Sequence, residues 1–344
     1  MTLDRRRFLA ASAAAAALPS VASAQISGDG VGWTRRAPMP WVAQEIYCAA
    51  KDGQVVVAGG LVRNAIGQTH INDRTALYDV AADRWSEGPR LPQPRHHPML
   101  VATDRWVFAF GGYDRREGGE WTSMTDVWAL GDEGWQVVGQ MPGPLAETVG
   151  LHLDNRVHLV TGRSPAGEAN GGWNDQADVD THRVYLAGEN RWETARPAPM
   201  ARNSAAGAVH GGNLYIAGGR TVTGGGTGRL DRYDPAGDRW DTLAPIPASD
   251  TGQQVGGGLA MAAVGDRLVA FGGEWFARPG GGVFSETWIY DIGRDAWSRG
   301  PDMATPRHGL AGCAVDGTVL AIGGGEVVSG GRASSVVEAL SLQP

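Results

Sequence analysis

Only two cysteines, Cys48 and Cys313, occur in 344 residues, so no framework of disulfides can hold this fold together. Long apolar runs are also missing: no segment reaches the ~18 unbroken apolar residues of a membrane-spanning helix. Positive charge is scarce. Thirty basic residues stand against 37 acidic ones, a formal net charge of −7, which argues against nucleic-acid binding through a basic face. Several chemical signatures are absent too. "GGRTVTGGGTG", Gly218 to Gly228, lacks the Lys-Ser/Thr of a phosphate-binding loop. "NDQADVD", Asn174 to Asp180, lacks the glycine and terminal Glu of an EF-hand loop and reads as a solvated loop. No paired carboxylates, metal-ligand spacing or nucleophile motif specifies a reaction, and neither a cofactor nor a metal is expected.

What is present begins with the N-terminus. Asp4 to Ala10 is charged, Ala11 to Leu18 is apolar, and Ala22-Ser23-Ala24 offers a small-residue cleavage site, the order of an export signal. Arg5-Arg6-Arg7-Phe8-Leu9 is similar to the twin-arginine signature, with Asp4 in place of the usual Ser or Thr. Residues 1–24 are therefore read as a removed signal and residues 25–344 as one periplasmic or secreted domain. Without the signal, 27 basic residues face 36 acidic ones, a charge of −9. With 42% hydrophobic and 19% charged residues the chain is globular.

Its 52 glycines and 13 tryptophans recur at fixed places. Apolar runs end in Gly59-Gly60, Gly111-Gly112, Thr161-Gly162, Gly218-Gly219, Gly272-Gly273 and Gly323-Gly324, at intervals of 52, 50, 57, 54 and 51 residues. Such a period marks an array of one supersecondary unit. Turn dipeptides precede these runs: Asp52-Gly53, Asp104-Arg105, Asp154-Asn155, Gly211-Gly212, Gly265-Asp266 and Asp316-Gly317. After each glycine pair but the last comes an aromatic couple seven residues apart: Tyr78 and Trp85, Trp128 and Trp135, Tyr185 and Trp192, Tyr233 and Trp240, Tyr290 and Trp297. Each unit is thus predicted to be four antiparallel strands. Trp33 lies 26 residues before Gly59, the spacing that Trp85, Trp135, Trp192 and Trp297 keep to the next glycine site. It supplies the tryptophan missing after Leu340. The N-terminal strand should then complete the C-terminal unit and close a ring of six blades, leaving no exposed sheet edge. A single bridge between the two cysteines stays open in an oxidising compartment, but in this register they are displaced by one residue and are expected to point to opposite sheet faces, which argues against it.

The pattern resembles the kelch repeat over residues 31 to 344, which implies an all-β, six-bladed kelch-type β-propeller. The resemblance places an axial channel mouth among residues that open each first strand: Gln44, Glu45, His96, His97, Glu147, Asn203, Ser204 and His308. It adds residues that follow the glycine pairs: Tyr113, Arg163, Arg220, Glu274 and Glu326, with Arg115, Arg278 and Arg332 further along the loops. Such a mouth suits a polar ligand bearing hydroxyls or a carboxylate. Arg95, Arg202 and Arg307 share one register in alternate blades; a structural ion pair is the expected role, with an anion clamp as the alternative. His96, His97 and His308 are expected to be hydrogen-bonded histidines and not metal ligands. The loop from Gly162 to Arg183 and the insertion at Ser249 to Gly258 should shape the pocket.

Propellers host enzymes, binders and scaffolds alike, so several functions stay open. Ligand binding at the mouth, by a carbohydrate-like or acidic small molecule or by a protein loop, is the leading expectation. The chain also resembles bacterial N-acetylneuraminate epimerases, in which a Glu followed six residues later by an Arg is implicated; Glu326 and Arg332 have that spacing, although the family's long insertions are absent. Galactose oxidase shares the kelch propeller. Here Tyr47, Cys48, His96 and His308 are the residues similar to its copper site, but its separate ligand-bearing domain is missing.

Overall fold

The computed structural model describes residues 32–116, 118–277 and 280–342; the expected export signal, residues 1–24, and Arg278 fall outside them. Each apolar run that ends at a glycine pair becomes the second strand of a four-stranded antiparallel sheet. Blade 1 is Cys48–Lys51, Gln54–Ala58, Thr75–Asp79 and Arg84–Gly88; blade 2 is Met99–Ala102, Val107–Phe110, Asp126–Gly131 and Gly134–Gln140. Blade 3 is Val149–Leu153, Arg156–Pro165, Gln176–Leu186 and Arg191–Thr194; blade 4 is Ala206–His210, Asn213–Ala217, Leu230–Asp234 and Arg239–Leu243. Blade 5 is Leu259–Val264, Arg267–Gly272, Thr287–Asp291 and Ala296–Arg299, and blade 6 has Ala311–Val315, Thr318–Ile322 and Val337–Ser341. The fourth strand of blade 6 is Thr34–Arg35, in which Thr34 pairs with Ala339 and Arg35 with Glu338. The innermost strands adjoin one another in order, and that of blade 6 lies against that of blade 1. The single helical element among the described residues is a 3-10 turn at Trp173–Asp175, and no helix is long and apolar enough to cross a membrane.

Alternation along each strand sends side chains to both sheet faces, and the apolar core therefore lies between blades. Val55, Val57 and Tyr78 of blade 1 pack with Leu320, Ile322 and Ala339 of blade 6, whereas Ala49, Val56 and Ala58 turn to blade 2. The aromatic couple is a cross-strand pair, as in Tyr78 opposite Trp85 and Tyr290 opposite Trp297. It does more than fill space. Trp85 Nε1 donates to Ala37 O at 2.9 Å, Trp192 to Gln140 O at 2.9 Å, Trp240 to Arg196 O at 2.9 Å and Trp297 to Ala244 O at 2.8 Å. Each bond reaches the preceding blade. Trp33 does the same, donating to Thr287 Oγ1 at 3.0 Å and Pro301 O at 3.2 Å of blade 5. The tyrosine hydroxyls of Tyr78, Tyr233 and Tyr290 donate to Asp83, Asp238 and Asp295, whose carboxylates also accept the backbone N–H of Ala37, Arg196 and Ala244.

The glycine pair marks where blades touch backbone to backbone. A Cβ on Gly111, which has φ +52°, would lie 2.1 Å from the carbonyl oxygen of Leu145 at the entrance to blade 3. Thr161 holds the equivalent place in blade 3 at φ 58°, a strained conformation for a β-branched residue.

Two expectations are corrected. The segment Gly162 to Arg183 is largely strand: pairing continues from Gly162 opposite Val179 to Pro165 opposite Gln176, a tall hairpin instead of a long loop. The cysteines, though on opposite faces in the repeat register, meet. Adjacent blades present opposite faces to each other, so Cys48 on blade 1 and Cys313 on blade 6 pack on the same core cluster. Both thiols are free.

Candidate functional site

Six equivalent residues open the innermost strands: Glu45, His97, Glu147, Ser204, Gly258 and Gly309, all with φ between 49° and 73°. Backbone hydrogen bonds run between neighbours around the axis, from Glu45 N to Gly309 O, His97 N to Glu45 O, Ser204 N to Glu147 O, Gly258 N to Ser204 O and Gly309 N to Gly258 O, at 2.7–3.0 Å. The residue before each pairs with the one after its own blade's glycine pair: His96 bridges Tyr113, Asn203 bridges Arg220 and His308 bridges Gly325. This geometry explains why residues far apart in sequence converge.

The side chains form one charged cluster. Glu147 is the hub, accepting from Tyr113 Oη at 3.0 Å and Ser204 Oγ at 2.5 Å; Arg163 lies 3.5 Å and Arg220 3.8 Å from its oxygens. Arg220 also donates to Glu274 at 2.5 Å and to Asn203 Oδ1 at 3.2 Å. Asn203 in turn donates to Asp178 at 2.6 Å, so part of "NDQADVD" is structural and not merely solvated. Glu45 Oε2 sits 2.8 Å from His97 Nε2, and His308 Nδ1 lies 3.5 Å from Glu274 and 3.7 Å from Glu45. All nine binding residues expected from the sequence are in or against this cluster. Most are spent on one another and are buried, including His96, Tyr113, Glu147, Arg163, Asn203, Glu274 and His308. Glu45 and Arg220 are the ones that reach solvent, with side chains 16% and 18% exposed.

Glu326 and Arg332 lie apart from this network. They pair with each other at 3.2 Å, and the Arg332 side chain is 69% exposed. Their loop is nevertheless tied to the cluster, since Ser329 N–H donates to Glu274 at 2.7 Å and Val327 O is 3.0 Å from His308 Nε2. Arg95, Arg202 and Arg307 have the structural role: each is fully buried and pairs within its own blade, with Asp126, Asp231 and Glu338 at 3.1, 2.8 and 3.0 Å. Below the cluster, a space of about 80 Å³ follows the axis, lined by residues such as Met99, Val149, Ala206, Met261 and Leu310. Among the described residues no three His, Cys, Asp or Glu side chains gather as a metal site.

Aromatic residues at the mouth gave no repeat signal. Trp121 packs edge-on against His96 at 4.9 Å and against Tyr113 at 5.2 Å, the Arg163 guanidinium lies 4.2 Å over Trp173, and Phe276, 56% exposed, lies 5.7 Å from Arg220. They stand on the post-glycine hairpins, whose lengths differ from blade to blade.

Burial opposes charge on these carboxyls, yet the cations win. Burial would push Glu45 up, but His97, His308 and Arg220 hold it well below the usual carboxylate range. For Glu147 burial is likewise outweighed, by His97, Arg220, Arg163 and the Ser204 hydroxyl. A line of hydrogen bonds leads away from Glu45. His96 Nε2 is 2.8 Å from Glu120 O, which only accepts, so that nitrogen carries the proton. Burial and then His97 push His96 down to about 3, so the ring is neutral and its Nδ1 accepts from His97 Nδ1–H at 2.8 Å.

A second buried pair, His158 and His182 at 2.8 Å, sits against Tyr233. Burial pushes them down to about 3 and about 4. Because these depressed histidines bind protons more readily when unfolded, stability is complete above their ordinary value of ~6.5 and falls as pH drops through that value toward the folded ones. Between pH 6.5 and 5.5 the loss for His96, His158 and His182 is roughly 1 kcal/mol each. A melting curve series should therefore decline by about 5 °C over that unit. A midpoint that stays flat down to pH 5 contradicts the burial of neutral rings.

The fold and this mouth define a six-bladed β-propeller with a polar, ionised axial site. The repeats place it further: the sequence model of the Kelch motif matches residues 201–247 and 256–304, and the chain is a kelch-repeat propeller. Curated relatives include Kelch-like protein terF of Aspergillus terreus, 24% identical over 88% of this chain and 64% of its own length. Kelch-like protein 35 of Mus musculus is 24% identical over 78% of this chain and 41% of its own. Beta-scruin of Limulus polyphemus is 25% identical over 72% and 27%. The chain thus spans less than two thirds of each. A solved structure of YjhT superposes with a TM-score of 0.72 at 16% identity, covering 89% of this chain and 97% of that one, a likeness of fold.

Proposed function

We propose that this protein binds a small polar ligand, carbohydrate-like or acidic, at the axial mouth, with Glu45 and Arg220 as its first contacts. The observation that carries the reading is the contrast within the cluster. Buried partners fix a carboxylate and a guanidinium that both reach solvent, an acceptor and a fork of donors suited to hydroxyls or a carboxylate. Phe276 and Trp121 supply apolar faces beside them. The charged, apolar and small-residue order of residues 4–24 supports export of the protein before it meets its ligand.

Thermal shift against neutral sugars and sugar acids tests this, since a ligand bound to the native state raises the melting point. One class should raise it. In calorimetry, Glu45→Gln and Arg220→Lys should each weaken that ligand about tenfold, the scale of one lost charge-assisted hydrogen bond. A wild-type protein that responds to none of the panel, or variants that bind as tightly as wild type, would sink the reading.

A further inference from the structure

The seam between blades 1 and 6 is where the chain's two ends meet, and it holds both cysteines. Cys48 lies on the innermost strand of blade 1 and Cys313 on that of blade 6, and these strands adjoin. Strand alternation puts Cys48 with Ile46 on the side that faces blade 6, and puts Cys313 with Ala311 and Val315 on the side that faces blade 1. Both thiols therefore pack on one cluster between the same two strands. No other cysteine exists in the chain to compete. The surrounding contacts are apolar, from Ile46, Val57 and Leu320, and the non-covalent pairing that completes this blade is a strand of two residues.

We propose that Cys48 and Cys313 form a disulfide that staples blade 1 to blade 6 across this seam. The oxidant is a small-molecule or protein disulfide. One thiolate attacks a sulfur of the donor and expels a thiol, forming a mixed disulfide; the second thiolate displaces the remaining donor thiol. The two thiol protons and two electrons end on the donor, which is left as a dithiol or two thiols. The hydrogen bond to Cys313, then burial, raise the Cys48 thiol well above its ordinary value, so the reaction is slow at pH 7 and quickens toward pH 9. The bond ties positions 265 residues apart, and long closed loops are where a cross-link restricts the unfolded chain most.

The test uses the full chain, treated at pH 8.5 with glutathione disulfide or with excess dithiothreitol. Oxidation should remove both titratable thiols, lower the mass by two hydrogens, and give a non-reduced digest in which the peptides around 48 and 313 are joined. The melting point should rise by about 5 °C or more over the reduced form. Cys48→Ala and Cys313→Ala should each abolish both the link and the rise. Thiols that stay free in folded protein, glutathione adducts or intermolecular dimers in place of the internal bond, a bond with no rise, or a rise that persists in either variant would overturn the proposal.

Discussion

Arg307→Ala should lower the free energy of unfolding by about 3–5 kcal/mol, the cost of removing one partner from a buried ion pair. Arg307 is fully buried and donates to Glu338 Oε2 at 3.0 Å and to Ala321 O at 3.3 Å. Truncation leaves the Glu338 carboxylate, itself fully buried, with Arg35 3.7 Å away as its remaining cation. Glu338 lies opposite Arg35 in the pairing that joins the two chain ends, so the damage falls on the weakest sheet. The double variant Arg307→Met, Glu338→Leu removes both charges and should recover more than half of the loss, because apolar substitutes of similar size often match a buried pair. Urea midpoints for the two variants check this. A single variant within 1 kcal/mol of wild type, or a double variant worse than the single, contradicts the account.

Gly111→Ala should cost about 2–4 kcal/mol, and Gly211→Ala about 1. Both glycines adopt nearly the same positive φ, +52° and +55°, so both substitutions pay the same backbone strain. They differ in surroundings. Nothing lies within 4 Å of a Cβ built on Gly211, in a hairpin turn, whereas that of Gly111 meets the Leu145 carbonyl oxygen at 2.1 Å and Met141 Cε at 2.6 Å. The difference between the two therefore measures how closely one blade's backbone approaches the next. Equal costs would show that the glycine serves only the local turn.

The sequence made the blades legible because each depends on contacts that recur with the period: an apolar strand, a glycine against the next blade, a tyrosine and a tryptophan bonded to the previous one. Trp33 was recognisable for the same reason. The residues of the site were also within reach, since register carries Glu45, His96, Glu147, Asn203 and His308 to the axis together. What register cannot convey is who pairs with whom. Glu147 binds Tyr113 and Arg220 binds Glu274 across different blades, and those partners depend on side-chain reach around the axis. Trp121, Trp173 and Phe276 stand on hairpins of unequal length, outside any periodic signal. The cysteines show an inference that failed from a correct premise. Opposite faces were rightly assigned, but neighbouring sheets touch through opposite faces, so the displacement that was read as separating the thiols is what brings them together.

The buried arginine pairs have a consequence for how such a ring can change. Arg95 with Asp126, Arg202 with Asp231 and Arg307 with Glu338 occupy blades 2, 4 and 6, and both members of each pair sit in one blade. At the matching places the odd blades carry Ala43 and Ala76, Leu145 and Arg183, Gly256 and Trp288. The even blades are thus electrically self-contained at this position, whereas blade 3 carries a lone cation there, Arg183, which donates to Gly143 O at 2.6 Å. Duplicating, deleting or transplanting a whole even blade would strand no charge there, while a cut made through its middle would.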